Sequence, residues 1–196
     1  MKKASFYSTL LAALALVGMS FTNPSNSEVA SLPVNVEKSN IVWKGYKVTG
    51  SHTGNIELKA GKLDFDGDKL VGGSFEIDMT TITCTDLEGE YNQKLVGHLK
   101  SDDFFGVEKF PVAQLEITQV ISRGTPGDYK IVGDLTIKGI TKEVRFMAKV
   151  NPNQATAAIT VDRSEFNVRY GSGSFFENLG DKTIYDEFEL EVNLTY

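Results

Sequence analysis

The ten C-terminal residues 187–196, EFELEVNLTY, alternate strictly between polar and apolar side chains. Phe188, Leu190, Val192 and Leu194 face one way, and the residues between them face the other way, because successive side chains of a strand point to opposite faces. Strict alternation over this length is typical of a β-strand with one dry and one wet side. The apolar side of this strand must therefore be covered by another part of the chain.

The same period of two recurs upstream of this stretch. It is found over residues 74–79, 113–118, 129–138, 143–150 and 157–161, with Gly and Asp turn signals between the runs. The single helix candidate downstream of residue 20 is 86–99, DLEGEYNQKLVGHL, with Asp86 as its cap. The pattern predicts an all-β fold of about 8–10 short antiparallel strands with one short helical insertion, either a barrel or a sandwich.

The composition limits the class of protein. The chain has 196 residues and a formal net charge of −6, which argues against nucleic acid and anionic membrane surfaces as partners. Residues 1–20 combine two lysines, the apolar run LLAALALV and small residues, which predicts a secretory signal peptide rather than a membrane span. Residues 21–31 are predicted to be a flexible arm, and residues 32–196 one domain. A single cysteine, Cys84, allows no internal disulfide.

Residues 98–111, HLKSDDFFGVEKFP, differ in composition from the strands around them. Ser101, Asp102 and Asp103 are typical of a turn or a helix N-terminus, and Phe104 and Phe105 are too apolar to remain in water. We expect a short helical connection that lays two aromatic rings over one end of the β-structure. The alternative is that both rings are ordinary core residues.

No residue pattern indicates a metal site or a catalytic centre. The two histidines, His52 and His98, are far apart in sequence and are expected to brace loops by hydrogen bonds. Arg163 and Arg169 are predicted to form ion pairs at the surface, with contact to a ligand headgroup as the alternative. The sequence thus predicts no catalytic residue, no metal and no cofactor.

Four motifs carry a resemblance to a known family. They are TGSHTG at 49–54, HLKSDDFF at 98–105 followed by KFP at 109–111, GDLTIKGITK at 133–142 and DRSEF at 162–166. With this order and spacing, the chain resembles the YceI-like family of exported lipocalin-like proteins. The resemblance implies an extended antiparallel lipocalin-like β-barrel with one helical insertion, a tunnel for a polyisoprenoid or similar amphiphile, a homodimer, a periplasmic location and no catalytic centre. Compared with that family, residues 169–186 form an insertion with a second aromatic pair, Phe175 and Phe176.

The sequence and the resemblance together predict an exported protein that sequesters or carries a polyisoprenoid or a fatty amphiphile in its interior. Alternation indicates which side chains line that interior. They are Trp43, Phe75, Ile77, Leu115, Ile117, Ile131, Leu135, Ile137, Phe146, Ile159, Phe188, Leu190 and Val192, with Phe104 and Phe105 closing one end. Two alternatives remain: a filled barrel that acts as an interaction module, and a lipid-modifying enzyme with His52 or His98 as base.

Overall fold

The computed structural model describes residues 28–196, which form nine strands and one α-helix. The strands are β1 (Ala30–Pro33), β2 (Asn40–Lys47), β3 (Gly50–Asp66), β4 (Lys69–Asp78), β5 (Val112–Ser122), β6 (Asp128–Ile137), β7 (Ile140–Asn151), β8 (Gln154–Asp162) and β9 (Ile184–Thr195). The helix α1 spans Gly89–Lys100, between β4 and β5. No helix in this part of the chain is long and apolar enough to cross a bilayer.

The strands form one antiparallel sheet that closes on itself. Its order within residues 28–196 is β1-β3-β2-β9-β8-β7-β6-β5-β4, and β4 also pairs with β3, so eight strands make a barrel and β1 lies outside the closed ring. Closure removes the unpaired edges that an open sheet would present. The predicted all-β antiparallel barrel with one short helical insertion is confirmed, and the apolar sides of its strands face inward.

The largest local difference from the sequence prediction is β3. The sequence pattern predicts separate short strands at 55–58 and 61–65, divided by a turn signal, yet β3 runs unbroken for 17 residues, with a register shift between Leu58 and Ala60. Gly61 is required by close approach, because a Cβ there would lie 2.8 Å from the ring of Phe75 on β4. This long bent strand pairs with both ends of the sheet and so closes the barrel.

The N-terminal boundary also differs from the prediction. Ala30 and Ser31, assigned above to a flexible arm, belong to β1 and pair with Phe65 and Asp64 of β3. Backbone pairing to β3 orders this segment, a tertiary effect that its polar composition does not reveal. The predicted signal peptide, residues 1–20, lies outside the described residues.

Asp86 was predicted to cap the helix, and that prediction is wrong. Glu88 occupies the N-cap position and makes no side-chain cap bond. Asp86 instead accepts a hydrogen bond from the backbone N–H of Thr53 at 3.0 Å and lies 2.9 Å from Nδ1 of His52. The carboxylate therefore ties the segment before α1 to β3. Ser101, for its part, ends the helix rather than starting one, since its N–H bonds to the carbonyls of Gly97 and His98.

The Asp86 contact makes stability depend on acid pH. Burial acts to raise the pKa of Asp86, but hydrogen bonds from Thr53, Cys84 and His52 outweigh it and lower the pKa from 3.8 to about 2. A carboxyl with a depressed folded-state pKa stabilises the fold above pH 3.8, and this contribution is lost as the pH falls towards 2. Urea unfolding should therefore show Asp86→Asn less stable than wild type by about 1–2 kcal/mol at pH 6, allowing for solvent screening.

The difference in unfolding free energy between Asp86→Asn and wild type should shrink as the pH is lowered from 4 towards 2, because the wild-type Asp86 carboxyl then becomes protonated. Asp68→Asn, in the exposed turn between β3 and β4, serves as the control and should follow wild type at each pH. A constant gap between Asp86→Asn and wild type across this range would contradict the assignment.

Candidate functional site

The barrel encloses an apolar cavity of about 190 Å³. All fifteen predicted lining residues lie on its wall. Thirteen were predicted from alternation, and Phe104 and Phe105 were predicted to close one end. The thirteen are Trp43, Phe75, Ile77, Leu115, Ile117, Ile131, Leu135, Ile137, Phe146, Ile159, Phe188, Leu190 and Val192. Their contact with a ligand stays a prediction. The inward direction of these side chains follows from the register of the ladders, which pairs Leu115 with Leu135 and Ile159 with Leu190 across neighbouring strands.

Packing is uneven around this wall. On β6 and β8, Ile131 and Val161 are each 1% exposed, as in a filled core. On β7 and β9, Phe146, Leu190 and Val192 point inward yet are only partly buried, and all three border the cavity. Small side chains widen this region: Ala148 of β7 pairs with Ala157 of β8, which in turn pairs with Val192 of β9. These positions on β7, β8 and β9 therefore form one loosely packed part of the cavity wall.

The size of the cavity limits what it holds without movement. Dry apolar cavities of about 150 Å³ bind benzene, whereas pockets that enclose drug-sized ligands measure roughly 300–1,000 Å³. At about 190 Å³, the interior accepts a short apolar group as it stands. A longer chain requires side chains of the wall to change position.

Phe104 and Phe105 lie beside the C-terminal end of α1 and are both buried. Their ring centroids are 5.0 Å apart, and Phe105 lies 6.4 Å from Phe188 across the barrel. Nζ of Lys138, in the β6–β7 turn, donates hydrogen bonds to the carbonyl oxygens of Phe104 at 2.7 Å and Asp102 at 3.2 Å. This segment is therefore anchored to the barrel through its backbone, while its rings belong to the cavity wall.

Arg163 was predicted to form an ion pair at the surface or rim; it does form one, with Asp186, but the predicted location is wrong because the side chain is buried. Its exposure is 2%, and it borders the cavity. Its guanidinium donates to the carbonyls of Val168 at 2.8 Å, Tyr170 at 2.9 Å, Ile184 at 3.0 Å and Tyr185 at 3.1 Å. The carboxylate of Asp186 is 3.2 Å away. Burial lowers the pKa of Arg163, and Asp186 opposes that effect. The side chain thus binds together the start and the end of the long connection from β8 to β9.

The profile of the YceI-like domain matches residues 24–196. The chain belongs to the YceI-like family. Among curated relatives, a UPF0312 protein of Shewanella denitrificans is 38% identical over 88 residues, covering 45% of this chain and 44% of the relative. A UPF0312 protein of Photorhabdus laumondii is 29% identical over 137 residues, 68% of each chain. The chain spans about half the length of most of the curated relatives it matches.

Solved structures share the fold of this YceI-like chain. Burkholderia cenocepacia BcnA superimposes with a TM-score of 0.66 at 21% identity, over 83% of this chain and 99% of that one. A polyisoprenoid binding domain from Saccharophagus degradans gives a TM-score of 0.58 at 12% identity, over 85% and 97% of the two chains. These likenesses establish the barrel architecture.

One cluster of polar side chains, His52, Cys84 and Asp86, and the separate residue His98 were candidates for chemistry in this YceI-like barrel. The thiol of Cys84 donates to Asp86 Oδ1 at 3.1 Å, and burial raises the pKa of that thiol. His52 forms the predicted hydrogen bond, to the same carboxylate. His98 does not match its prediction, because its buried Nε2 has no hydrogen-bond partner. Its ring instead packs against the ring of Tyr170, with the ring centroids 4.3 Å apart. Across residues 28–196, no three His, Cys, Asp or Glu side chains come together as a metal site.

Sequence reasoning missed part of the cavity wall. Some of the additional residues lie on β2, on the long strand β3 or near the ends of β4, and others, such as Ala148, Ala157 and Leu194, lie within the alternating runs of β7, β8 and β9. They include Ile41, Tyr46, Ile56, Leu58, Leu63, Leu70, Met79, Ala148, Ala155, Ala157, Arg163, Ile184, Tyr185 and Leu194. A pairing register for β2, β3 and β4 would have identified six of them, Ile41, Tyr46, Ile56, Leu58, Leu63 and Leu70, whereas nothing in the sequence signals a buried Arg163.

Proposed function

We propose that this protein binds a long apolar lipid, a polyisoprenoid or a similar amphiphile, in the interior of its barrel. The observation that carries the proposal is the cavity, whose wall is almost entirely aliphatic and aromatic and whose inward side chains on β7 and β9 are only partly covered. Burial of a lipid chain contributes about 0.8 kcal/mol per CH₂ before ordering costs. The likeness to a polyisoprenoid binding domain supports the same ligand class.

The proposal includes a carrier role outside the cytoplasm. The basic and apolar pattern of residues 1–20 supports export to the periplasm, where a lipid would need shelter from water during transit. We also propose a homodimer as the assembled form. Export is tested by fractionation of cells that express the full chain, and assembly by the mass of the purified holoprotein.

Binding without catalysis is the mechanism that the polar residues favour. An activated nucleophile needs a neighbouring base to take its proton. Burial raises the pKa of the Cys84 thiol, the hydrogen bond to Asp86 raises it further, and His52 is already engaged by that carboxylate. In our proposal the protein changes the location of the lipid and leaves its bonds intact.

The test is native mass spectrometry of the exported protein, followed by organic extraction and lipid analysis. The expected result is a stoichiometric added mass that leaves on denaturation and is extracted as a prenyl or acyl chain. A bare protein mass, with no uptake of added prenyl or fatty lipids, would overturn the proposal. It would favour the filled barrel as an interaction module.

A further inference from the structure

A group of aromatic side chains stands exposed on the connection between β8 and β9. Tyr170 and Phe176 are each 49% exposed, and Phe175 is 40% exposed. Large apolar side chains grouped on a surface mark sites that contact a partner or a membrane. We call these three residues, together with the cleft described next, the mouth face.

The cleft of the mouth face measures about 620 Å³ and is lined by three separate segments. The turn after α1 contributes Asp102 and Asp103, and the β6–β7 turn contributes Lys138. The β8–β9 connection supplies Asn167, Arg169, Tyr170, Gly171, Phe176, Leu179 and Lys182. Three basic side chains against two acidic ones make this cleft locally positive, in a chain whose formal net charge is −6.

The exposed rings are held in place rather than left loose. Arg163 fixes the carbonyls of Val168 and Tyr170, at the start of the connection. Ser174 Oγ donates to Asp186 Oδ2 at 2.6 Å, and the guanidinium of Arg169 lies 4.9 Å from the centre of the Phe175 ring. These contacts fix the connection in the conformation that exposes its aromatic side chains.

The mouth face adjoins the cavity. The ring of Tyr170 packs against the ring of His98, and the His98 ring packs against Phe104 of the cavity wall, with the two ring centroids 5.7 Å apart. Lys138 lines the cleft and also holds the carbonyl of Phe104. Arg163 borders the cavity and also holds the carbonyls of Val168 and Tyr170, so the wall of the cavity and the start of this connection share one side chain.

We propose that the mouth face rests on the surface of a phospholipid bilayer while the protein loads or releases its lipid. Aromatic rings favour the boundary between headgroups and acyl chains, and basic side chains bind lipid phosphates. Phe175 and Phe176 enter that boundary, and the cleft of Lys138, Arg169 and Lys182 receives a headgroup phosphate. The inference rests on the proposed function in one respect: a lipid ligand has its source in a membrane.

The test is flotation of the full protein with vesicles of phosphatidylcholine, whose zwitterionic headgroups do not repel an acidic protein. Phe175→Ser/Phe176→Ser should reduce the vesicle-bound fraction about tenfold, since two rings lose their contact with the bilayer. The matched control is Ile121→Ser/Met147→Ser, which removes side chains of 39% and 49% exposure near the opposite end of the β6–β7 hairpin. This control should float like wild type.

An equal loss of vesicle binding in Phe175→Ser/Phe176→Ser and in the control variant would overturn the mouth face as the docking surface. Unchanged vesicle binding of Phe175→Ser/Phe176→Ser would overturn it as well. Lys182→Gln should weaken flotation about threefold and reduce its dependence on salt, because a phosphate contact is removed. An unchanged salt dependence would exclude the cleft from docking.

Failure of this inference and failure of the proposed function are distinguishable. Lipid supplied in detergent should still bind Phe175→Ser/Phe176→Ser to the wild-type level, while its transfer between vesicles should slow about tenfold. A protein that floats through the mouth face but takes up no lipid would leave docking intact and overturn lipid carriage. A protein that takes up lipid but never floats with vesicles would leave lipid carriage intact and overturn docking.

Discussion

Replacing Ala157 with phenylalanine is expected to weaken lipid uptake at least about tenfold while the barrel stays folded. Ala157 points into the cavity, between Ala148 and Val192 on the two neighbouring strands. A cavity of about 150 Å³ accepts one benzene ring, so a new phenyl group fills most of the 190 Å³ present here. Uptake is measured by native mass spectrometry after incubation with a prenyl lipid.

The control for this substitution is the adjacent position. Ala158 is exposed on the outer face of β8, so Ala158→Phe adds the same ring to the same strand and should bind lipid like wild type. The unfolding free energy of Ala157→Phe should change by less than about 1.5 kcal/mol, because the ring enters existing space. Wild-type uptake by a folded Ala157→Phe would place the ligand outside the barrel.

Removal of the buried guanidinium should produce the largest loss of stability. Arg163→Met keeps the apolar stem but leaves four carbonyl oxygens without their donor and the Asp186 carboxylate without its cationic partner. Breaking a buried ion pair on one side costs about 3–5 kcal/mol. Urea unfolding should show this loss, and limited proteolysis should cut the β8–β9 connection faster than in wild type.

Two further variants show whether the loss comes from the contacts of Arg163. Arg169→Met removes an exposed arginine from the same connection and should cost at most about 1 kcal/mol. Asp186→Leu added to Arg163→Met should restore part of the stability, since it removes the unpaired buried charge. A small effect of Arg163→Met would mean that water replaces the guanidinium.

The barrel was predictable from the sequence because its strands are amphipathic with a period of two. Wherever one side of a strand is dry, as in β9, alternation also determines which residues face the cavity, and all thirteen side chains predicted from it lie there. The pattern weakens on β3, where Gly61 is a contact point for Phe75 and resembles a turn in the sequence.

Features that depend on partners distant in the chain could not be predicted from the sequence. An arginine is usually exposed, and only the convergence of four carbonyls makes the interior acceptable for Arg163. Asp86 stands where a helix cap is expected, yet the N–H of Thr53, 33 residues upstream, binds it instead. The volume of the cavity depends on how far apart the strands of the wall lie and on how much of that space their side chains fill. Periodicity reports neither quantity.

Trp43 gives the protein a built-in optical probe. It is the only tryptophan in the sequence, it lines the cavity, and its Nε1 donates to the carbonyl of Thr83 at 2.9 Å, which fixes the indole in one orientation. The tryptophan fluorescence of the chain therefore comes from one indole that borders the space a ligand would fill. Occupancy, exchange rate and the position of a brominated or polyene group along a bound chain can all be followed through that emission, without a label.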